Sequence, residues 1–81
     1  KIYAYYFAAK DRTQILLTYL QAEADSKIRQ IKLKIAVAEK ESSYKDRLSG
    51  KVYTGEELRK GIIVESSLQP HYGIMFDFRR I

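Results

Sequence analysis

Carboxylates are the side chains here best supplied to do chemistry, and they fall in a few places. Glu56 and Glu57 are adjacent, Glu39 and Glu41 are two apart, as are Glu23 and Asp25, and Asp11 and Asp77 stand among isolated acids. General acid–base work needs one carboxyl kept protonated beside an ionised partner, which takes burial. Each of these acids has a plainer account. Glu56 and Glu57 follow Thr54, so they sit where a helix N-terminus favours negative charge. Asp11 reads as a turn residue, Glu23 and Asp25 as loop residues, Glu39 and Glu41 as surface charges, and Asp77 as the outer face of a strand. His71 is the only histidine and there is no cysteine, which leaves too few soft ligands for a zinc site. Ser66 and Ser67 share the loop of His71, but no base is set against either hydroxyl to activate it. Gly50, Gly55, Gly61 and Gly73 are too dispersed to cradle a phosphate. No catalytic, cofactor-binding or metal-binding residue is therefore assigned to this chain, and no cofactor is expected.

The elements that would hold such residues are legible from the pattern, most clearly between Gly50 and Ile62. Thr54 is a good N-cap, and Glu57 three residues on completes the capping-box spacing. Tyr53 and Leu58 occupy the two hydrophobic-staple positions. Arg59 and Lys60 place cations at the negative end of the dipole, and Gly61 supplies a left-handed exit. This predicts a one-turn helix over 55–60. A helix so short is unstable alone, so it is expected to plug one end of a larger body, with Tyr53, Leu58 and Ile62 pointing inward.

The run Gly50-Lys51-Val52-Tyr53-Thr54-Gly55-Glu56-Glu57-Leu58, with Gly61-Ile62 two residues further on, resembles a segment near the C-terminus of glycoside hydrolase family 36 α-galactosidases. There the pattern is Tyr-Ser/Thr-Gly-x-Glu/Asp-Leu, then a glycine and an aliphatic residue. In that family a small antiparallel β-sandwich follows a catalytic (β/α)8 barrel. The resemblance is to that last domain and, in strand layout, extends over nearly the whole chain. It implies a non-catalytic domain, because the family's two catalytic aspartates lie in the barrel and its nucleophile motif, Lys-x-Asp-x-Asn, does not occur here. It also implies a partner, the catalytic barrel domain of a parent enzyme that hydrolyses terminal α-galactosides with retention.

The remaining chain reads as strands. Lys1 to Ala9 carries Tyr3, Tyr5, Tyr6 and Phe7, and Thr13 to Gln21 carries Ile15, Leu16, Leu17, Tyr19 and Leu20; both have strand composition. The polar Lys10-Asp11-Arg12 between them predicts a hairpin with a three-residue loop. That register would set Phe7 opposite Ile15, Tyr5 opposite Leu17 and Tyr3 opposite Tyr19. Both faces of the hairpin would then be apolar: Tyr5, Phe7, Ile15 and Leu17 on one, Tyr6, Leu16 and Leu20 on the other. One face is surplus to a free-standing sandwich and is expected to meet the barrel or another copy of the domain.

Arg29 to Ile35 alternates with period two, which signals a strand. Leu20 to Arg47 is also rich in helix formers, and Ile28, Ile31 and Ile35 fit a helical stripe. The alternation and the strand layout of the resembling family together favour the strand. Ala36 to Ser43 connects, in a place where the family has a Gly-Leu-Asp-Pro turn. Tyr44 to Leu48, a Ser49-Gly50 turn and Lys51 to Tyr53 form a second hairpin. Ile62-Ile63-Val64 is a short strand, Glu65 to His71 a loop broken by Pro70, and Tyr72 to Arg79 the last strand. The fold class is all-β: a small antiparallel β-sandwich of six to eight strands with one short helical turn.

The 81 residues suffice for one domain spanning 1–81. A hydrophobic share of 46% beside 31% charged excludes disorder. No apolar run approaches the ~18 residues of a membrane span, so no membrane partner is expected. The absence of cysteine fits a reducing, cytoplasmic setting. Lys1 rather than Met stands first, as expected of a piece of a longer protein. The net charge of +5 raises nucleic acid as a partner, but the basic residues are interleaved with acids and none is expected. A stand-alone carbohydrate-binding module and a small basic nucleic-acid-binding β domain are the two rival readings. Retention on a galactoside resin would favour the first, and salt-dependent binding of a random oligonucleotide the second.

Overall fold

A computed structural model describes residues 2–81. Seven strands and one helix follow in the order β1 (Ile2–Ala8), β2 (Gln14–Gln21), β3 (Gln30–Leu33), β4 (Ser43–Asp46), β5 (Val52–Thr54), α1 (Gly55–Lys60), β6 (Ile62–Glu65) and β7 (Tyr72–Arg80). Five strands form one sheet in the order β1-β2-β7-β4-β5, and β3 pairs with β6 in a second. Every pairing is antiparallel. Ile15, Leu17, Tyr19, Tyr44 and Phe78 from the large sheet cluster with Leu33, Ile62 and Val64 from the small one, which makes this the expected all-β sandwich. The rival long helix over 20–47 does not form.

Both expected hairpins are present, but the first is displaced by one residue. Phe7 pairs with Leu16, Tyr6 with Leu17, Tyr5 with Thr18 and Tyr3 with Leu20. The cause lies in the turn. The Asp11 carboxylate accepts from both the amide (3.1 Å) and the hydroxyl (2.7 Å) of Thr13, holding that residue in the loop. Arg12 takes a positive φ of 60°, and the Ala9 amide closes on the Gln14 carbonyl at 2.9 Å. The loop thus has four residues, 10–13, instead of three. Side chains alternate along strands, so this step exchanges the residues that share a face. Tyr6 now joins Ile15, Leu17 and Tyr19 on the inner side, while Tyr3, Tyr5 and Phe7 join Leu16, Thr18 and Leu20 on the outer side.

Two other boundaries shift for local reasons. β4 ends at Asp46 rather than Leu48, because the Asp46 carboxylate accepts from the amide of Leu48 and the hydroxyl of Ser49 and folds 47–50 into a turn. β3 ends at Leu33 rather than Ile35. The Ile35 amide bonds instead to the carbonyl of Leu58 in α1 at 2.9 Å. Ile35 and Ala38 are buried, so the connection packs into the core beneath the helix.

The helix itself is as expected. Thr54 accepts from the Glu57 amide (3.0 Å) and the Glu57 carboxylate accepts from the Thr54 amide (2.8 Å), a complete capping box. Leu58 and Ile62 are buried and Tyr53 is half-buried, its ring edge-on to Phe78 at 5.5 Å. Gly61 leaves the helix at φ 118° and ψ 141°. That is positive φ with an extended ψ rather than the left-handed helical region, and it is open essentially to glycine alone. It turns the chain directly into β6.

Candidate interaction face

The acids singled out from the sequence are dispersed over the surface, and most stand beside a separate partner. Glu57 completes the cap, and Glu56 lies 3.5 Å from Lys60 one turn on. Glu39 pairs with Arg80, and Glu41 is exposed on the connection before β4. Asp77 accepts from Arg79 at 2.9 Å and from Gln14 at 3.3 Å; the Arg79 hydrogen bond is the main reason its carboxyl stays below the usual range. Asp25 is held down in the same way, chiefly by Arg29 at 2.6 Å, and Asp11 by the Thr13 hydroxyl. These shifts run opposite to what a general acid requires. Glu23 and Asp25 do meet in one place, a polar cleft of about 270 Å³ shared with Arg29 and Gln21.

His71 is exposed at φ 56°, with its amide on the Ala22 carbonyl. The Ser66 hydroxyl accepts from the Arg29 amide at 2.8 Å, and that of Ser67 from the Gln69 amide at 2.9 Å. Both hydroxyls brace the loop. No group of three or more His, Cys, Asp or Glu side chains is placed to hold a metal among the described residues. None of the described helices is long and apolar enough to cross a membrane.

Two buried polar residues escaped the sequence reading. Asp46 is buried and accepts from the Asp77 amide at 2.9 Å in addition to its turn contacts. Gln21 is buried and ties β2 to the loop after β6, donating to the Ser67 carbonyl (2.6 Å) and accepting from the Ser67 amide (3.0 Å) and the Tyr19 hydroxyl (2.9 Å). Asp46 was discoverable from its place at the head of Asp-Arg-Leu-Ser-Gly, a composition that favours an Asx turn. Gln21 falls on the inner-facing period of β2 and so was also within reach.

What the fold does bring together is an apolar surface. On the outer face of the large sheet, three rows run across β1, β2 and β7: Tyr3-Leu20-Gly73, Tyr5-Thr18-Met75 and Phe7-Leu16-Asp77. Tyr3 is 55% exposed, Tyr5 46%, Phe7 69%, Leu20 42% and Met75 53%. Isolated exposed apolar residues are ordinary, but a contiguous group marks a contact surface. β1 is also thinly covered from behind, with Ala4 and Ala8 exposed on its inner side. A cleft of about 400 Å³ opens there between β1 and β3, lined by Ala4, Tyr6, Lys32 and Lys34 among others. The expected surplus apolar face is thus present, with the membership set by the four-residue turn.

No protein-family model matches the chain, and no curated protein matches it. Among solved structures, the chain is similar to a GH36 α-galactosidase, a variant of AgaA from Geobacillus stearothermophilus in complex with 1-deoxygalactonojirimycin. The likeness has a TM-score of 0.86 at 21% identity and covers 99% of this chain. It covers 11% of the enzyme's chain. The shared feature is the fold: this sandwich is built like one small part of a much larger enzyme.

Proposed function

We propose that this chain is the non-catalytic C-terminal β-sandwich domain of a GH36 α-galactosidase, working in the cytoplasm as a structural accessory to a catalytic barrel. The observation that carries this reading is the extent of the likeness, 99% of this chain against 11% of the enzyme. A match of that form is what a whole accessory domain of a larger protein would give. The outer face of the large sheet supports it as the surface that meets the barrel. The scattered carboxylates, with Asp25 and Asp77 each held below the usual range by an arginine, support the lack of a catalytic role, since retaining hydrolysis takes two carboxyls about 5–5.5 Å apart with one raised in pKa. In the parent enzyme the barrel would hydrolyse terminal α-galactosides with retention.

The exposed aromatics raise the carbohydrate-binding module as a second reading, because sugars stack on ring faces. Tyr5 and Phe7 stand edge to face, however, at 82° with centroids 5.8 Å apart. Two perpendicular rings do not make a flat platform for one sugar chain, which favours a protein partner. The test is release of nitrophenol from a nitrophenyl α-galactoside by the purified chain, with the Asp77→Asn/Glu57→Gln double variant as control. Background signal in both, with no retention on a galactoside resin, is the expected outcome. Turnover that the double variant loses would overturn the reading, and retention on the resin would replace it with the binding module.

A further inference from the structure

β1 is an edge strand without the usual protections. Exposed edges are normally blunted by charge, proline, a bulge or extreme shortness. β1 runs seven residues, Ile2-Tyr3-Ala4-Tyr5-Tyr6-Phe7-Ala8, with no charge and no proline. The opposite edge of the same sheet is quite different: β5 has only three residues and passes directly into α1.

The free hydrogen-bonding groups of β1 can be assigned. The Ala9 amide donates to Gln14, so Ala9–Gln14 is a hydrogen-bonded pair of the hairpin. Such pairs alternate along an antiparallel ladder, so Phe7, Tyr5 and Tyr3 also direct their backbone groups at β2. The N–H and C=O groups of Ala8, Tyr6, Ala4 and Ile2 then point away from the sheet. We propose that this edge pairs antiparallel with the same edge of a second copy, about a two-fold axis through Tyr5, joining the two large sheets into one continuous sheet.

The register follows from which row must bond. Setting Ala4 opposite the Tyr6 of the other copy, and Ile2 opposite its Ala8, uses the entire free row and forms about eight backbone hydrogen bonds. Side chains agree with that register on both faces. On the inner side the small Ala4 meets the large Tyr6, and the same contact repeats across the axis. On the outer side Tyr3 lies opposite Phe7, and Tyr5 lies opposite its own copy, giving aromatic cross-strand pairs of a stabilising kind. Sliding the strands by two residues so that Tyr6 meets Tyr6 would crowd two large side chains and leave Ile2 unpaired. The chain carries +5, but residues 2–8 contribute none of it, so no like charges are opposed within the ladder. A two-fold contact uses both copies of the edge, so it closes as a dimer instead of growing into a fibre.

The test uses the absence of native cysteine. Sedimentation equilibrium of the unaltered chain should show a species of twice its 9.5 kDa in the micromolar range. Tyr5→Cys, on the axis in a non-hydrogen-bonded pair, should oxidise to a covalent dimer, since Cα atoms about 4.5 Å apart suit a disulfide. Tyr3→Cys and Phe7→Cys taken singly should cross-link at least tenfold more slowly, because each such residue is about 14 Å from its own copy along the ladder. The Tyr3→Cys/Phe7→Cys double variant should recover the fast reaction. A chain that stays monomeric to several hundred micromolar would overturn the proposal. So would a dimer whose cross-linking at position 3 or 7 matches that at position 5.

Discussion

At the scale of single residues, the capped turn carries the sharpest expectations. Thr54→Ala deletes one half of the capping box and should cost about 1 kcal/mol, a fall in Tm of about 4–8 °C for a domain of this size. Gly55 is far less forgiving than its place at the first helical position suggests. A Cβ there would lie 1.7 Å from the backbone carbonyl oxygen of Glu39, and backbone cannot step aside as a side chain can. Gly61→Val meets flexible lysine stems, Lys32 at 2.5 Å and Lys34 at 3.2 Å, but at a φ of 118° that a β-branched residue does not adopt comfortably. Both Gly55→Ala and Gly61→Val should therefore melt below Thr54→Ala, and melts within a degree of the unaltered chain would contradict the role given to this turn. The cap was legible because every contributor lies within eight residues. The Gly55 contact was not, since Glu39 is distant in sequence and reaches the helix only through the fold.

Titration acts at the same scale. Asp77 and Asp25 have folded-state pKa values below the ordinary one, chiefly through Arg79 and Arg29. In the unfolded chain each would bind a proton at higher pH, so their contribution to stability is complete above about pH 4 and fades as pH falls through the folded values. Tyr19 and Tyr53 are raised by burial, so theirs is complete below about pH 10 and fades as pH rises through the folded values. Chemical denaturation across pH should show a plateau between these limits. Asp77→Asn should shallow the acid limb and leave the alkaline limb unchanged.

At the scale of elements, strands were legible where hydrophobic period and turn composition agree, as in β7; the second hairpin was legible as a hairpin, but its turn spans 47–50 instead of Ser49-Gly50. Register was not legible, because a three-residue and a four-residue loop differ only in how Asp11 uses Thr13, and that hydrogen bond leaves no trace in periodicity. The two registers predict different cores. With Phe7 opposite Ile15 both would be inward; with Phe7 opposite Leu16 only Ile15 is, and Phe7 stands 69% exposed. Phe7→Ser, measured in dilute solution where the chain is monomeric, should accordingly change its stability by no more than about 0.5 kcal/mol. Leu17→Ala, at a site 2% exposed, should cost about 2–5 kcal/mol. Equal losses at the two positions in urea unfolding would restore the shorter loop.

At the scale of the whole molecule, sequence order and spatial order part company at β7. Local signals revealed the two hairpins, but nothing local states that the last strand lies between β2 and β4. That placement makes β7 the bridge between the two hairpins: it pairs with β2 from Gln14–Arg79 to Gln21–Tyr72 and with β4 from Tyr44–Arg80 to Asp46–Phe78. Phe78 is fully buried, stacked on Phe76 at 5.5 Å and edge-on to Tyr53. The Arg80 amide bonds to Thr13 and the Ile81 amide to Ser43, fastening the two hairpin ends. A chain this short buries only about 60% of its extended surface and has a small reserve of stability. Phe78→Ala should cost about 3–5 kcal/mol, a large fraction of that reserve. Truncation after Asp77 removes the same ring together with the β4 pairing, and should leave a chain without dispersed amide signals in its NMR spectrum. Truncation that kept native dispersion would mean that the hairpins hold each other through the small sheet and α1 alone, and that β7 is not the strand on which the sandwich closes.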